Sequence, residues 1–136
     1  MGYPIADIEG IGASYKKKLQ GVGIRTTDQL LERARTPKLR SSLAAETGIE
    51  ESRILKWANM ADLMRVRGIG EEYSELLEAA GVDTVKELRK RRADNLAAAI
   101  AEANSGKRKL VRQLPGEKRV ASWIEGAKAL KPMLSY

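Results

Sequence analysis

One pattern is written twice in this chain. Ile8-Glu9-Gly10-Ile11-Gly12 and Val66-Arg67-Gly68-Ile69-Gly70 share a Gly-Ile-Gly turn entered from an apolar residue, and the likeness continues downstream. Gly10, Ile11, Gly12, Tyr15, Leu19, Gly23, Thr26, Leu30 and Arg33 return 58 positions later as Gly68, Ile69, Gly70, Tyr73, Leu77, Gly81, Thr84, Leu88 and Arg91. A repeat of this kind constrains the architecture before any single residue is considered, because each copy must fold as one supersecondary unit.

The punctuation within each copy is helical. Ala13 to Val22 reads as a short amphipathic helix closed by Gly23, a left-handed residue just past its end. Thr26 and Gln29 have the spacing of a capping box, and Thr84 with Glu87 repeats it. Thr36-Pro37 is an N-cap followed by proline at the first helical position, where its missing N–H costs nothing. The helix from Pro37 to Glu46 is expected to bury Leu39, Leu43 and Ala44 and to stop at Thr47-Gly48. From Glu50 to about Val66, the residues Ile54, Trp57, Ala58, Ala61, Leu63 and Met64 form an apolar stripe at helical spacing. This longest helix leads directly into the second Gly-Ile-Gly turn and is expected to join the halves rigidly.

The second half follows the same plan. Asn95 to Asn104 is the counterpart of the Pro37 helix. Val120, Trp123, Ala127 and Leu130 match Ile54, Trp57, Ala61 and Met64, now 66 positions apart. The added residues fall between Ser105 and Gly116 and are mostly basic. Nothing reads as a strand, so the fold is expected to be all-α. A glycine turn between helices is the pattern of a helix-hairpin-helix motif. Each half holds a second, less regular turn as well: Thr47-Gly48-Ile49 in one, Leu114-Pro115-Gly116 in the other. The expected architecture is therefore two tandem paired helix-hairpin-helix units joined by a long shared helix. The first unit spans 1–64, and the second spans 65–136 with a basic insertion at 105–116.

The composition removes most catalytic chemistry. With no Cys and no His, the chain offers no thiolate nucleophile, no imidazole base and no Cys- or His-ligated metal. It carries no phosphate loop of the GxxxxGK[ST] type, and no strand precedes either glycine turn as a dinucleotide fingerprint requires. The paired acids Glu50-Glu51 and Glu71-Glu72 sit where helices begin, and helix capping accounts for them. No enzyme, cofactor or metal is expected. No apolar run approaches the roughly 18 residues of a membrane span, and the N-terminus lacks the regions of a signal peptide. A cytoplasmic, membrane-free monomer is expected.

Charge points to a partner. The net charge is +7, which favours polyanions. It is concentrated in residues 105–136, with eight basic side chains against two acidic, whereas residues 66–92 balance at six against six. The first glycine turn is the leading phosphate site. Gly10 and Gly12 allow close approach, and the unpaired N–H groups at the following helix start, near Ser14, carry partial positive charge. Lys16, Lys17 and Lys18 follow at once. In the second turn Glu71 and Glu72 occupy the equivalent place and would repel an anion. The basic stretch is the other candidate: Lys107, Arg108, Lys109, Arg112, Lys118 and Arg119 bracket Gly116 at the start of the last helix. Arg89 to Arg92 read as helix-end cations, and Trp57, Trp123, Tyr15 and Tyr73 read as core.

The runs Ile8–Gly12, Ile54-Leu55-Lys56-Trp57-Ala58-Asn59-Met60-Ala61-Asp62-Leu63-Met64-Arg65 and Gly68-Ile69-Gly70-Glu71-Glu72-Tyr73 resemble the bacterial DUF4332 family of helix-hairpin-helix proteins. So do Ala79-Ala80-Gly81-Val82-Asp83-Thr84-Val85-Lys86-Glu87-Leu88 and the tail Leu114-Pro115-Gly116…Val120…Trp123-Ile124…Ala127…Leu130. The resemblance covers nearly the whole chain. It implies the fold more than the function: wider relatives include paired motifs that bind DNA without sequence preference. Carried over, the phosphate contacts would be Gly10, Gly12 and the amides after them.

The reading at this level is non-catalytic, sequence-independent binding of a nucleic-acid backbone, DNA rather than RNA. The alternative is a protein-interaction adaptor in which the hairpins are only architecture. If about four to six phosphates are neutralised, log K against log salt falls with a slope of roughly −4 to −5 on duplex DNA.

Overall fold

Glycine placement and threonine caps define the helices of this protein. A computed structural model describes residues 2–105 and 113–136. Among these it has eight α-helices and no strand: α1 Ala13–Gln20, α2 Thr27–Arg33, α3 Pro37–Thr47, α4 Glu51–Leu63, α5 Glu71–Ala79, α6 Val85–Leu88, α7 Ala93–Ala103 and α8 Glu117–Lys128. A short 3-10 turn, Ile5–Asp7, precedes them. The all-α expectation holds.

The chain divides into two compact units, Met1–Arg65 with Met133–Tyr136, and Val66–Pro132. In the first, α2 and α3 pack on α4; in the second, α6 and α7 pack on α8. The central helix of each unit carries its tryptophan, and Trp57 and Trp123 are each 2% exposed. The core of the first unit closes around Ile5, Ile8, Leu19, Ile24, Leu30, Leu31, Leu43 and Ile54 beside Trp57.

The caps follow the repeat. Thr26 accepts the Gln29 N–H while the Gln29 side chain accepts the Thr26 N–H, a complete capping box. Thr84 accepts the Glu87 N–H in the same way. At the end of α1 the Ile24 N–H bonds the Leu19 carbonyl and the Gly23 N–H bonds that of Gln20, each at 3.0 Å. Gly23 has φ +85°, so this is a Schellman closure, which needs a residue tolerant of the left-handed region. Val82 to Leu77 and Gly81 to Glu78 repeat it.

Three features depart from expectation. First, α4 ends at Leu63 rather than near Val66 and belongs to the first unit. The Arg65 N–H turns back onto the Asp62 carbonyl, and its guanidinium lies 2.7 Å from the Asp62 carboxylate, locking the exit of the helix. Second, α3 is rotated relative to its apolar pattern: Leu39 is 39% exposed and Arg40 only 3%. Leu43 is buried as expected, and Ala44 packs half-buried at the edge of the core. The Arg40 guanidinium donates to the carbonyls of Ala34 (2.8 Å) and Ser135 (2.7 Å). Two carbonyls at fork geometry solvate a charge that a leucine could not replace.

Third, residues 133–136 return to the first unit. Met133 and Leu134 pack half-buried against its core. The Ser135 N–H bonds the Arg35 carbonyl at 2.8 Å, and the Tyr136 hydroxyl donates to Asn59 Oδ1 at 2.9 Å.

Candidate functional site

The first glycine turn is built by a tight reversal over Ile8–Ile11, where the Ile11 N–H bonds the Ile8 carbonyl at 3.2 Å. Gly10 sits at φ +95°. Ile11, 6% exposed, anchors the turn to the core below. Gly12 is the extended N-cap of α1, and its carbonyl takes the Lys16 N–H at 2.9 Å. The N–H groups of Ala13, Ser14 and Tyr15 precede the first intrahelical bond and have no acceptor within the helix. No acidic residue lies in this first turn. A Cβ added at Gly12 would meet nothing within 4 Å. Gly12, Ala13, Ser14, Lys16, Lys17 and Lys18 are all exposed.

Below the turn, each unit contains the same stack. The Tyr15 and Trp57 ring centroids are 5.1 Å apart, and Tyr73 and Trp123 repeat the separation at 5.1 Å. An arginine from the tryptophan helix covers each tyrosine: Arg53 lies 5.4 Å from the Tyr15 ring and Arg119 lies 5.1 Å from Tyr73. Lys18 also reaches the Tyr15 ring, at 5.8 Å. The aromatic face therefore gathers Arg53 into the lysine group of α1. Sequence reasoning missed Arg53. The signal was present, since Arg53 and Arg119 keep the 66-residue spacing of the tryptophans.

The second turn has the same backbone and opposite charge. Gly68 has φ +92° and the Ile69 N–H bonds the Val66 carbonyl at 3.1 Å. Here Glu71 and Glu72 fill the first turn of α5 and are exposed. Ser74, at the place of Lys16, is buried and donates to the Glu71 carbonyl at 3.0 Å.

Of the second group of candidate residues, Gly116 is the N-cap of α8, with Glu117 in the first turn and Lys118 and Arg119 exposed. Arg119 donates to the Tyr73 hydroxyl at 2.9 Å, so it stands beside the acidic turn. Lys107, Arg108, Lys109 and Arg112 lie outside the described residues. Gly10, Gly12, Ser14 and Lys16–Lys18 are thus brought together in one unit, and Gly116, Lys118 and Arg119 in the other.

Among the described residues, no group of three or more acidic side chains converges as a metal site would, and no helix is long and apolar enough to cross a membrane.

The fold and this geometry define a class: all-helical proteins made of two glycine-turn units, each backed by a tryptophan, a tyrosine and an arginine. Over residues 9–130 the chain matches the model of the family described as a domain of unknown function, DUF4332, and it belongs to that family. No curated protein and no solved structure matched it.

Proposed function

We propose that this protein is a non-catalytic binder of nucleic-acid backbone, DNA in the first place, acting in the cytoplasm through the Gly10–Gly12 turn as a helix-hairpin-helix element. One observation carries the reading. The start of α1 is unobstructed at Gly12, free of acidic residues, and followed by Lys16, Lys17 and Lys18 with Arg53 beside them. A phosphate seated on the free N–H groups gains the helix dipole and the cations together, and reads no base. The basic residues Lys107–Arg119 belong to the second unit and are a separate candidate for backbone contact.

The test is fluorescence anisotropy of a labelled DNA duplex. Binding weakens with salt, and neutralising Lys16, Lys17, Lys18 and Arg53 together removes a slope of about −0.9 per lost phosphate contact. The Lys16→Glu/Lys17→Glu/Lys18→Glu variant loses binding. Arg53→Gln weakens it and shifts stability by no more than about 1 kcal/mol, the scale of an exposed cation–π contact. Absence of binding by the unmodified protein at low salt sinks the proposal.

The exposed Glu71 and Glu72 favour one second reading, an adaptor whose hairpins are scaffolding and whose acidic turn docks a protein. In that case the triple lysine variant keeps its partner.

A further inference from the structure

The α6 and α8 helices frame a cavity of about 440 Å³ in the second unit, lined by Lys86, Arg89, Lys90 and Lys128. Every lining residue is a cation. By position Arg89 and Lys90 are ordinary helix-end charges, since cations there offset the carbonyl dipoles. That account does not explain why side chains from two helices surround one concave space. Lys128 has Glu125 at 3.1 Å. No ion pair joins Lys86, Arg89 or Lys90 to a carboxylate among the described residues, and their sequence neighbours Glu87 and Asp94 are engaged elsewhere. Glu87 faces Arg91 at 3.9 Å, and Asp94 faces Arg92 at 2.9 Å. Glu125 offsets only one of the four cations, three of which are exposed to solvent, and an anion seated among them would reduce their mutual repulsion.

The internal repeat supplies an independent comparison. Moved back by the 58-residue offset, Lys86, Arg89 and Lys90 fall on Asp28, Leu31 and Glu32 of the first unit. There Asp28 and Glu32 line a cavity of about 320 Å³ with Gly23, Gln29 and Arg33. Along α2 and α6 the framework residues are retained: Thr26 and Thr84, Leu30 and Leu88, Arg33 and Arg91. At the positions of Lys86 and Lys90 the repeat accepts either acids or bases, so packing does not demand cations there.

We infer that the Lys86–Arg89–Lys90–Lys128 cavity is a binding site for a compact anion with adjacent phosphate groups, such as inorganic tripolyphosphate or the phosphate chain of a nucleotide. Its volume lies in the usual range of small-molecule sites, about 300–1,000 Å³. Three ammonium groups and one guanidinium match several negative charges on one small molecule, whereas a single carboxylate would leave most of them unneutralised. The site is independent of the glycine turn. Within its own unit it lies at the Lys128 end of α8, about 13 Å along the helix from Arg119 at 1.5 Å per residue.

Isothermal titration calorimetry with inorganic tripolyphosphate at fixed ionic strength tests the assignment. One equivalent is expected to bind the unmodified protein. The Lys86→Gln/Arg89→Gln/Lys90→Gln variant should bind about tenfold or more weakly, equivalent to about 1.4 kcal/mol or more. The Lys16→Glu/Lys17→Glu/Lys18→Glu variant should keep the original affinity. A charge-conserving Lys86→Arg/Lys90→Arg variant should bind as well, which separates lost charge from lost folding. Adenosine triphosphate in a parallel arm distinguishes the sources: equal affinity means that the phosphate chain alone is read, and tighter binding means that a nucleotide is the ligand. No binding by the unmodified protein, or equal losses in both triple variants, overturns the inference. So does light scattering that shows self-association through the cavity in place of anion binding.

Discussion

The indole nitrogen of Trp123 lies 3.1 Å from the point where a Cβ on Gly68 would stand, and Trp57 holds Gly10 in the same way at 3.3 Å. Each tryptophan is thus the floor of a glycine turn. Both glycines also have positive φ, +92° and +95°. A side chain would be strained by the backbone and crowded by the ring. Gly68→Ala and Gly10→Ala are each expected to destabilise their unit by about 2 kcal/mol, since an L-residue in this region costs about 1–2 kcal/mol before any contact is counted. Gly12→Ala is the control. Gly12 has φ −82° and open space where its Cβ would be, so denaturation should shift by no more than about 1 kcal/mol. Urea titration of the three variants checks the contrast. In the duplex assay, Gly12→Ala should nonetheless weaken binding, because its methyl group occupies the proposed phosphate seat.

Much of this arrangement was legible because it is local. The threonine caps, the Schellman glycines and the buried tryptophans each follow from residue spacing within one helix or turn. What escaped was set by contacts distant in sequence. Leu39 fits the apolar pattern of α3, yet Arg40 takes the buried face because Ala34 and Ser135 supply carbonyls to it. No periodicity announces a partner 95 residues away. The cationic cavity likewise exists only when the end of α8 meets α6. For the glycine-turn site the individual residues were legible, while the recruitment of Arg53 depends on a tyrosine ring between two helices.

The Arg40 bridge predicts a coupling. Arg40→Ala leaves the Ala34 and Ser135 carbonyls without their donor and should cost about 2–3 kcal/mol, since each unsatisfied buried group costs about 1–3 kcal/mol before solvent partly compensates. Removal of residues 133–136 takes away one of the same two acceptors, together with the Met133 and Leu134 packing. The combined variant should therefore be more stable than the sum of the separate losses implies, by about 1 kcal/mol. Strict additivity in a double-mutant cycle would show that Arg40 does not hold the tail.

Asp94 predicts a pH effect of definite sign. The Asn95 N–H, 2.8 Å from its carboxylate, and the neighbouring Arg92 hold Asp94 below its ordinary value of 3.8. A depressed folded-state value means that the contribution is present above the unfolded value and lost as pH falls through the folded one. The start of α7 should therefore loosen only on acidification below the normal aspartate range. Carbon-detected NMR titration should place the Asp94 midpoint below that of an unstructured peptide containing it. Asp94→Asn should abolish the acid-side change in the α7 amides.

Because the two glycine turns share a backbone and differ in charge, function should be transferable between them. Glu71, Glu72 and Glu75 stand where the first unit has Ala13, Ser14 and Lys17. Replacing them as Glu71→Ala, Glu72→Ser and Glu75→Lys opens the start of α5 to an anion and places a cation in its second turn. The substitution gives up helix-dipole stabilisation of about 0.3–1 kcal/mol for each lost carboxylate near the N-terminus, so the fold should persist. Introduced into the Lys16→Glu/Lys17→Glu/Lys18→Glu protein, it is expected to restore salt-dependent duplex binding in the anisotropy assay. The control is Glu32→Lys/Glu102→Lys, which changes the net charge equally at two exposed positions outside both the turn and the cationic cavity. Equal rescue by both sets would mean that net charge alone attracts the duplex. Rescue by the turn substitutions alone would mean that a glycine turn with a free helix start binds phosphate wherever acids do not block it.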